Sequence, residues 1–203
     1  MGYLIAILLG YLLGCSSMAL YLSKLKHVDV RKKGSGNLGA SNVTIFLGWK
    51  AGVLVALHDI LKATLAVWLA RWLFPDLELI GSVAGVSCVM GHIFPFYLHF
   101  KGGKGFASYF GVALALDWKF AMILAVILIL ITLVTDYIVC STITATLAIP
   151  AYFTFMTGSF LVLLILLVPT VVMIWLHRDN YRRIRNGTEI GLRAARSGKH
   201  RVS

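Results

Sequence analysis

Three short polar runs, set in an otherwise apolar chain, carry residue types that handle anions. The first is Arg31-Lys32-Lys33-Gly34-Ser35-Gly36-Asn37-Leu38-Gly39-Ala40-Ser41-Asn42. Its glycines allow close backbone approach to a phosphate, and its cations, hydroxyls and amides supply charge and donors. The same composition also suits a flexible basic loop. The second run, Lys101-Gly102-Gly103-Lys104-Gly105, stands directly before an apolar segment. A glycine turn opening a helix aims amides and the positive end of the helix dipole at an anion, although two lysines here also suit snorkelling at a membrane boundary. The spacing is not that of a nucleotide P-loop. The third run is His177-Arg178-Asp179-Asn180-Tyr181-Arg182-Arg183, followed by Asn186-Gly187-Thr188-Glu189. On a continuing helix His177 and Asn180 lie one turn apart on a shared face, which suits an orienting or proton-handling pair, or an interfacial anchor.

The elements that must position these runs are membrane helices. The chain has 203 residues, 59% hydrophobic and only 13% charged, with a mean hydropathy of +0.86. That is too apolar for a soluble domain, and the short polar stretches leave no room for a second core. A helix needs about 20 apolar residues to cross the hydrocarbon. Candidate spans are Tyr3 to Ser23, about Ala51 to Leu73, Leu79 to Phe100, a short one from Gly105 to Leu116, two within Trp118 to Thr157 that divide near Thr135-Asp136-Tyr137, and Ser159 to Trp175. The expectation is an all-α polytopic protein with seven transmembrane helices in one domain, 1–203, ending in a basic tail at about 188–203.

Charge sets the sidedness. The net charge is +11, and nearly all cations fall in the loops after the odd-numbered spans, so the positive-inside rule puts the N-terminus outside and the C-terminus in the cytoplasm. All three polar runs then share the cytoplasmic face. A basic excess flanking membrane spans points to anionic headgroups or substrates and not to nucleic acid. Within the second span, Asp59 and Lys62 are three positions apart and can pair, as an intramembrane ion must. Cys15, Cys88 and Cys140 lie in apolar stretches without metal-ligand spacing, and His58 and His92 form no metal motif. At this level an enzyme, a transporter and a non-catalytic lipid or phosphate binder all remain open.

Taken together and in order, the motifs resemble a known family, the bacterial acyl-phosphate:glycerol-3-phosphate acyltransferases called PlsY. The resemblance rests on Asp29-Val30-Arg31 with Gly34-Ser35-Gly36-Asn37 and Gly39-Ala40-Ser41-Asn42, on Asp59 with Lys62, on Gly91-His92-Ile93-Phe94-Pro95 running into Phe100-Lys101-Gly102-Gly103-Lys104-Gly105, and on His177, Asn180, Arg183, Gly187 and Glu189. It implies a seven-helix enzyme of the bacterial cell membrane, with its active site on the cytoplasmic face and no metal or other cofactor. The implied reaction moves a fatty acyl group from acyl phosphate to the 1-hydroxyl of glycerol 3-phosphate, giving lysophosphatidic acid and inorganic phosphate, the first step of phospholipid synthesis. The chain departs from the family pattern at Ser17, where a proline is usual, and at Ile45, where an arginine is usual. A relative acting on another phosphorylated acceptor is the alternative that Ile45 raises.

On this reading His177, Asn180, Ser35 and Lys104 stand closest to the chemistry. Arg31, Gly34, Gly36, Asn37, Ser41, Asn42, Lys101, Gly102, Gly103 and Gly105 bind substrate or phosphate, and Asp59, Lys62, Arg183 and Glu189 support them. Ser35 is expected to bind and not to form an acyl-enzyme, because no histidine and acid accompany it in a recognisable motif. His177 is expected to orient the acceptor. The partners are the two substrates and membrane lipids, and the chain is compatible with a monomer.

Overall fold

The first apolar run does not form one straight rod. In the computed structural model, which describes residues 1–197, α1 (Gly2–Cys15) gives way to α2 (Met18–Leu25) across an extended break at Ser16 and Ser17. A 3-10 turn over Val30–Lys32 and a short helix α3 (Ala40–Leu47) follow, and Gly48, at φ 89, turns the chain into α4 (Trp49–Leu73). Next come α5 (Ile80–Ile93), a 3-10 turn at Phe96–Leu98, and α6 (Phe106–Leu116). The long apolar run divides into α7 (Trp118–Thr135) and α8 (Ile138–Thr157) at Asp136, whose φ of 66 makes the tight turn expected there. Then follow α9 (Phe160–Leu176), α10 (Arg178–Arg185) and α11 (Leu192–Ser197). No strand is present among the described residues.

By length and composition, five helices can cross a membrane: Gly2–Leu25 taken through its break, Trp49–Leu73, Ile80–Leu98, Trp118–Thr135 and Ile138–Thr157. The pair α9 and α10, bent by 42° at His177, makes a sixth. The fourth expected crossing is α6, which has only 11 residues. Within the basic tail expected at about 188–203, Leu192–Ser197 form α11; Lys199 and Arg201 lie outside the described residues.

Packing explains the small residues. Helix α1 lies against α5 so closely that a Cβ on Gly14 would come 2.0 Å from the Cys88 carbonyl oxygen. Between apolar helices in lipid there is little hydrophobic drive, so close backbone approach supplies the contact. The main core joins α4 to α9 around Val67, Val89, Tyr109, Val112, Ile149 and Leu166. Tyr109 is fully buried there, and its hydroxyl donates to the Leu166 carbonyl at 2.9 Å, so the phenol leaves no unpaired polar group in the bundle. The opposite side of α7 exposes Ile123, Val126, Ile129, Leu130, Leu133 and Val134, a face for acyl chains and not for water.

Candidate active site

The second and third polar runs meet. Helix α9 ends where the His177 imidazole turns back and its Nδ1 bonds the Met173 carbonyl at 2.7 Å, while Arg178 lies over Trp175 and donates to that residue's carbonyl at 2.9 Å. The Met173 carbonyl also accepts the His177 amide at 3.0 Å, so the ring adds a second bond to the same acceptor. A carbonyl only accepts, so Nδ1 carries the ring proton and Nε2 is an acceptor. Burial pushes the His177 pKa down to about 4, so the ring is neutral at ordinary pH. The helix does not continue straight through His177, as the sequence reading assumed; the bend sets α10 off at an angle.

Helix α10 presents Asn180 to the glycine loop before α6, where the Lys104 ammonium donates to Asn180 Oδ1. Asn180 Nδ2 donates to Glu189 Oε1 at 2.6 Å, and Arg183 Nε donates to Glu189 Oε2 at the same distance. Glu189 thus joins Asn180 to Arg183. Burial, and then the Arg183 guanidinium, push the Lys104 pKa below its usual value. A partly desolvated ammonium attracts an anion more strongly than one in bulk water.

Two of the loop glycines serve the fold. The amide of Gly102 donates to the Ile93 carbonyl at 2.9 Å, and that of Gly103 to the His92 carbonyl at 3.1 Å, so these two N–H groups close the end of α5. Gly105, at φ 90, turns the chain into α6. Lys101 is exposed. Of the second run, Lys104 is the residue the structure aims at the third.

The first run is organised by Asn42. Its Oδ1 accepts from the Ser35 amide at 3.2 Å and the Ser35 hydroxyl at 3.3 Å, and its Nδ2 donates to the carbonyls of Val30 and Lys33 at 3.1 and 3.2 Å. Asn42 is buried and fully engaged, so it shapes the cradle. Asn37 Oδ1 accepts from the Gly39 amide at 3.0 Å. Gly34 and Gly36, at φ 55 and 68, take left-handed turns that place Ser35 at the surface. Ser41 is exposed on the first turn of α3. Arg31 forms a two-pronged pair with Asp29, both bonds at 2.9 Å, and that guanidinium holds the Asp29 carboxyl down to about 2. No hydrogen bond or ion pair joins this loop to Lys104 or His177 among the described residues.

Two clefts run together beside that loop. One, of ≈ 520 Å³, is flanked by Lys24, His27 and Arg31; the other, of ≈ 360 Å³, by Leu12, Cys15 and Phe96; Leu20, Lys24 and Tyr97 line both. The combined trough is cationic at one end and apolar at the other. Deeper in the bundle, Asp59 and Lys62 pair at 2.8 Å, as their spacing suggested, and His92 joins them. The partnership with His92 was not legible in sequence, because it spans thirty positions and two helices.

A family model described as glycerol-3-phosphate acyltransferase matches residues 4–187. The chain is 37% identical over 193 residues to glycerol-3-phosphate acyltransferase 1 of Oceanobacillus iheyensis, covering 91% of this chain and 92% of that relative. It is 40% identical over 187 residues to glycerol-3-phosphate acyltransferase 2 of Bacillus anthracis, covering 92% and 97%. Two crystal structures of PlsY, an integral membrane glycerol 3-phosphate acyltransferase, superpose on it. The glycerol 3-phosphate form gives a TM-score of 0.86 at 35% identity, covering 95% of this chain and 96% of that one. The lysophosphatidic acid form gives 0.83 at 34% identity, covering 94% and 95%.

Proposed function

The chain belongs to the glycerol-3-phosphate acyltransferase family, a membrane enzyme family that acylates glycerol 3-phosphate, and on that premise we propose that its donor is an acyl phosphate and that Lys104, Asn180 and His177 form the centre of the site. The observation that carries this reading is the joining of the glycine loop to the α9–α10 bend through Lys104 and Asn180.

An acyl phosphate is a mixed anhydride and already activated, so the protein needs only to position and to neutralise charge. The acceptor hydroxyl oxygen attacks the acyl carbon, the bond from that carbon to the phosphate oxygen breaks, and the hydroxyl proton leaves with the phosphate. Lys104 offsets the charge on the departing phosphate. Ser35 and Arg31 hold a phosphate at the first loop; Arg31 has to share its guanidinium between Asp29 and that anion. His177 Nε2 accepts a hydrogen bond from the acceptor hydroxyl and fixes its direction. A ring whose pKa burial lowers to about 4 holds a proton poorly, which favours orientation over base catalysis. Asn42, Asn37, Ser41 and the glycines at 34, 36, 102, 103 and 105 shape the two loops around the phosphates.

The charge sorting supports seven crossings with the short α6 as the fourth, the N-terminus outside, and the site on the cytoplasmic side of a bacterial plasma membrane. The donor is tested by offering purified protein glycerol 3-phosphate with acyl phosphate, acyl-CoA or acyl carrier protein in parallel. Lysophosphatidic acid and inorganic phosphate should form with acyl phosphate alone; product from either thioester would replace it as the donor.

A further inference from the structure

The buried ion cluster of α4 and α5 touches none of the side chains assigned to substrate, yet its hydrogen bonds lead to the loop that carries one of them, Lys104. Lys62 Nζ has three N–H donors and three partners: Asp59 Oδ1 at 2.8 Å, the Ser16 carbonyl at 2.8 Å and His92 Nδ1 at 2.9 Å. The same His92 Nδ1 lies 3.3 Å from Asp59 Oδ1, so both ions hold one edge of the ring, and Nε2 is on the other. That edge of the ring abuts the glycine loop. A Cβ on Gly103 would come 2.0 Å from His92 Nε2, and the Gly103 amide also donates to the His92 carbonyl. The next residue is Lys104, whose ammonium meets Asn180.

Stability alone is a poor reason for such a cluster. Asp59, Lys62 and His92 are 3%, 6% and 8% exposed, and apolar residues of similar volume often replace a buried ion pair at no loss of stability. What such a polar cluster supplies is a fixed arrangement, because rotating one member breaks a buried hydrogen bond. Here the member it fixes is a ring that a loop glycine packs against without clearance. We infer that Asp59, Lys62 and His92 are positioning residues that act through Gly103 to hold Lys104 at the acyl-transfer site. The third Lys62 bond, to the carbonyl at the α1–α2 break, ties the same device to the helix that leads into the first polar loop. The inference rests on the assignment of Lys104 to the substrate phosphates.

The test is a double-mutant cycle on kcat/KM, measured as lysophosphatidic acid formed by the full chain with the donor that the wild-type protein uses. His92→Leu, which keeps bulk and removes the ring nitrogens, should lose about tenfold in the wild-type background and under about twofold in a Lys104→Met background. A purely structural role would give equal losses in both. If Lys104→Met keeps wild-type turnover, the assignment of Lys104 fails and the inference with it. If Lys104→Met is impaired while the His92→Leu loss is additive, the inference alone fails. Gly103→Ala probes the same joint from the loop side, since its Cβ presses on the His92 ring while all three members of the ion cluster keep their side chains, so it decides the matter should His92→Leu not fold: coupling with Lys104→Met supports the inference, and additivity overturns it.

Discussion

His177 spends one ring nitrogen on the Met173 carbonyl and keeps the other as an acceptor. An orienting hydrogen bond of this kind is worth about 1–3 kcal/mol, so His177→Gln should lower kcat/KM by roughly tenfold to a hundredfold and leave measurable turnover. Total loss of turnover with substrate binding intact would instead assign the proton transfer to this ring. Its depressed pKa also has a stability consequence. Between the ordinary value of 6.5 and about 4, the unfolded chain binds a proton that the folded chain refuses. Stability should therefore fall as pH drops through that window and flatten below it, and His177→Gln should weaken the slope in unfolding temperatures measured against pH. Ile45 gives the opposite kind of test. It stands on α3, at the position where the resemblance implies an arginine, and Ile45→Arg should lower the KM for glycerol 3-phosphate by about tenfold and make it more sensitive to salt. At this scale the sequence revealed the residue types well and their partners poorly. Asn180 and Glu189 stand nine positions apart and were grouped correctly, whereas Asn42 reads as one more polar loop residue until its four bonds are seen.

The helices themselves were largely legible, because the length of an apolar run and its glycine or aspartate breaks are local signals. The turn at Asp136 is an example. The break at Ser16 and Ser17 was hidden, since its open carbonyl is satisfied by Lys62 from another helix. So was the docking of the chain beyond α10 onto the α7–α8 turn. The Leu192 amide donates to the Asp136 carbonyl at 2.8 Å, and the Arg193 amide to Asp136 Oδ1 at 2.9 Å. Gly191 leaves the room for this contact, since a Cβ there would lie 2.0 Å from Asp136 Oδ2. Two residues earlier stands Glu189, which braces Asn180. Gly191→Val should lift this segment, lower turnover about threefold to tenfold through Glu189, and expose residues after Gly187 to protease. Asp136→Asn keeps the acceptor oxygen and should behave as wild type. Unchanged kinetics in Gly191→Val would show that Glu189 holds its place without the docked segment.

For the molecule as a whole, the charge sorting makes a claim that labelling can decide. In a variant lacking Cys15, Cys88 and Cys140, a cysteine at Asn186 should react with an impermeant maleimide only in inverted vesicles, and one at Thr157 only in intact cells. The reverse pattern would turn the protein over in the membrane. Composition announced the bilayer at once; the number of crossings was harder, because α6 has 11 residues. At 1.5 Å per residue it reaches about 16 Å, roughly half of a hydrocarbon layer about 30 Å thick. If its far end meets the outer headgroups, its near end and Lys104 lie well below the plane of the inner ones. Water and dissolved glycerol 3-phosphate then have to descend to that depth, while a lipid-borne acyl chain can arrive sideways without leaving its own phase. On the proposed topology and donor, a half-length helix lets one reactant stay in each solvent until they meet.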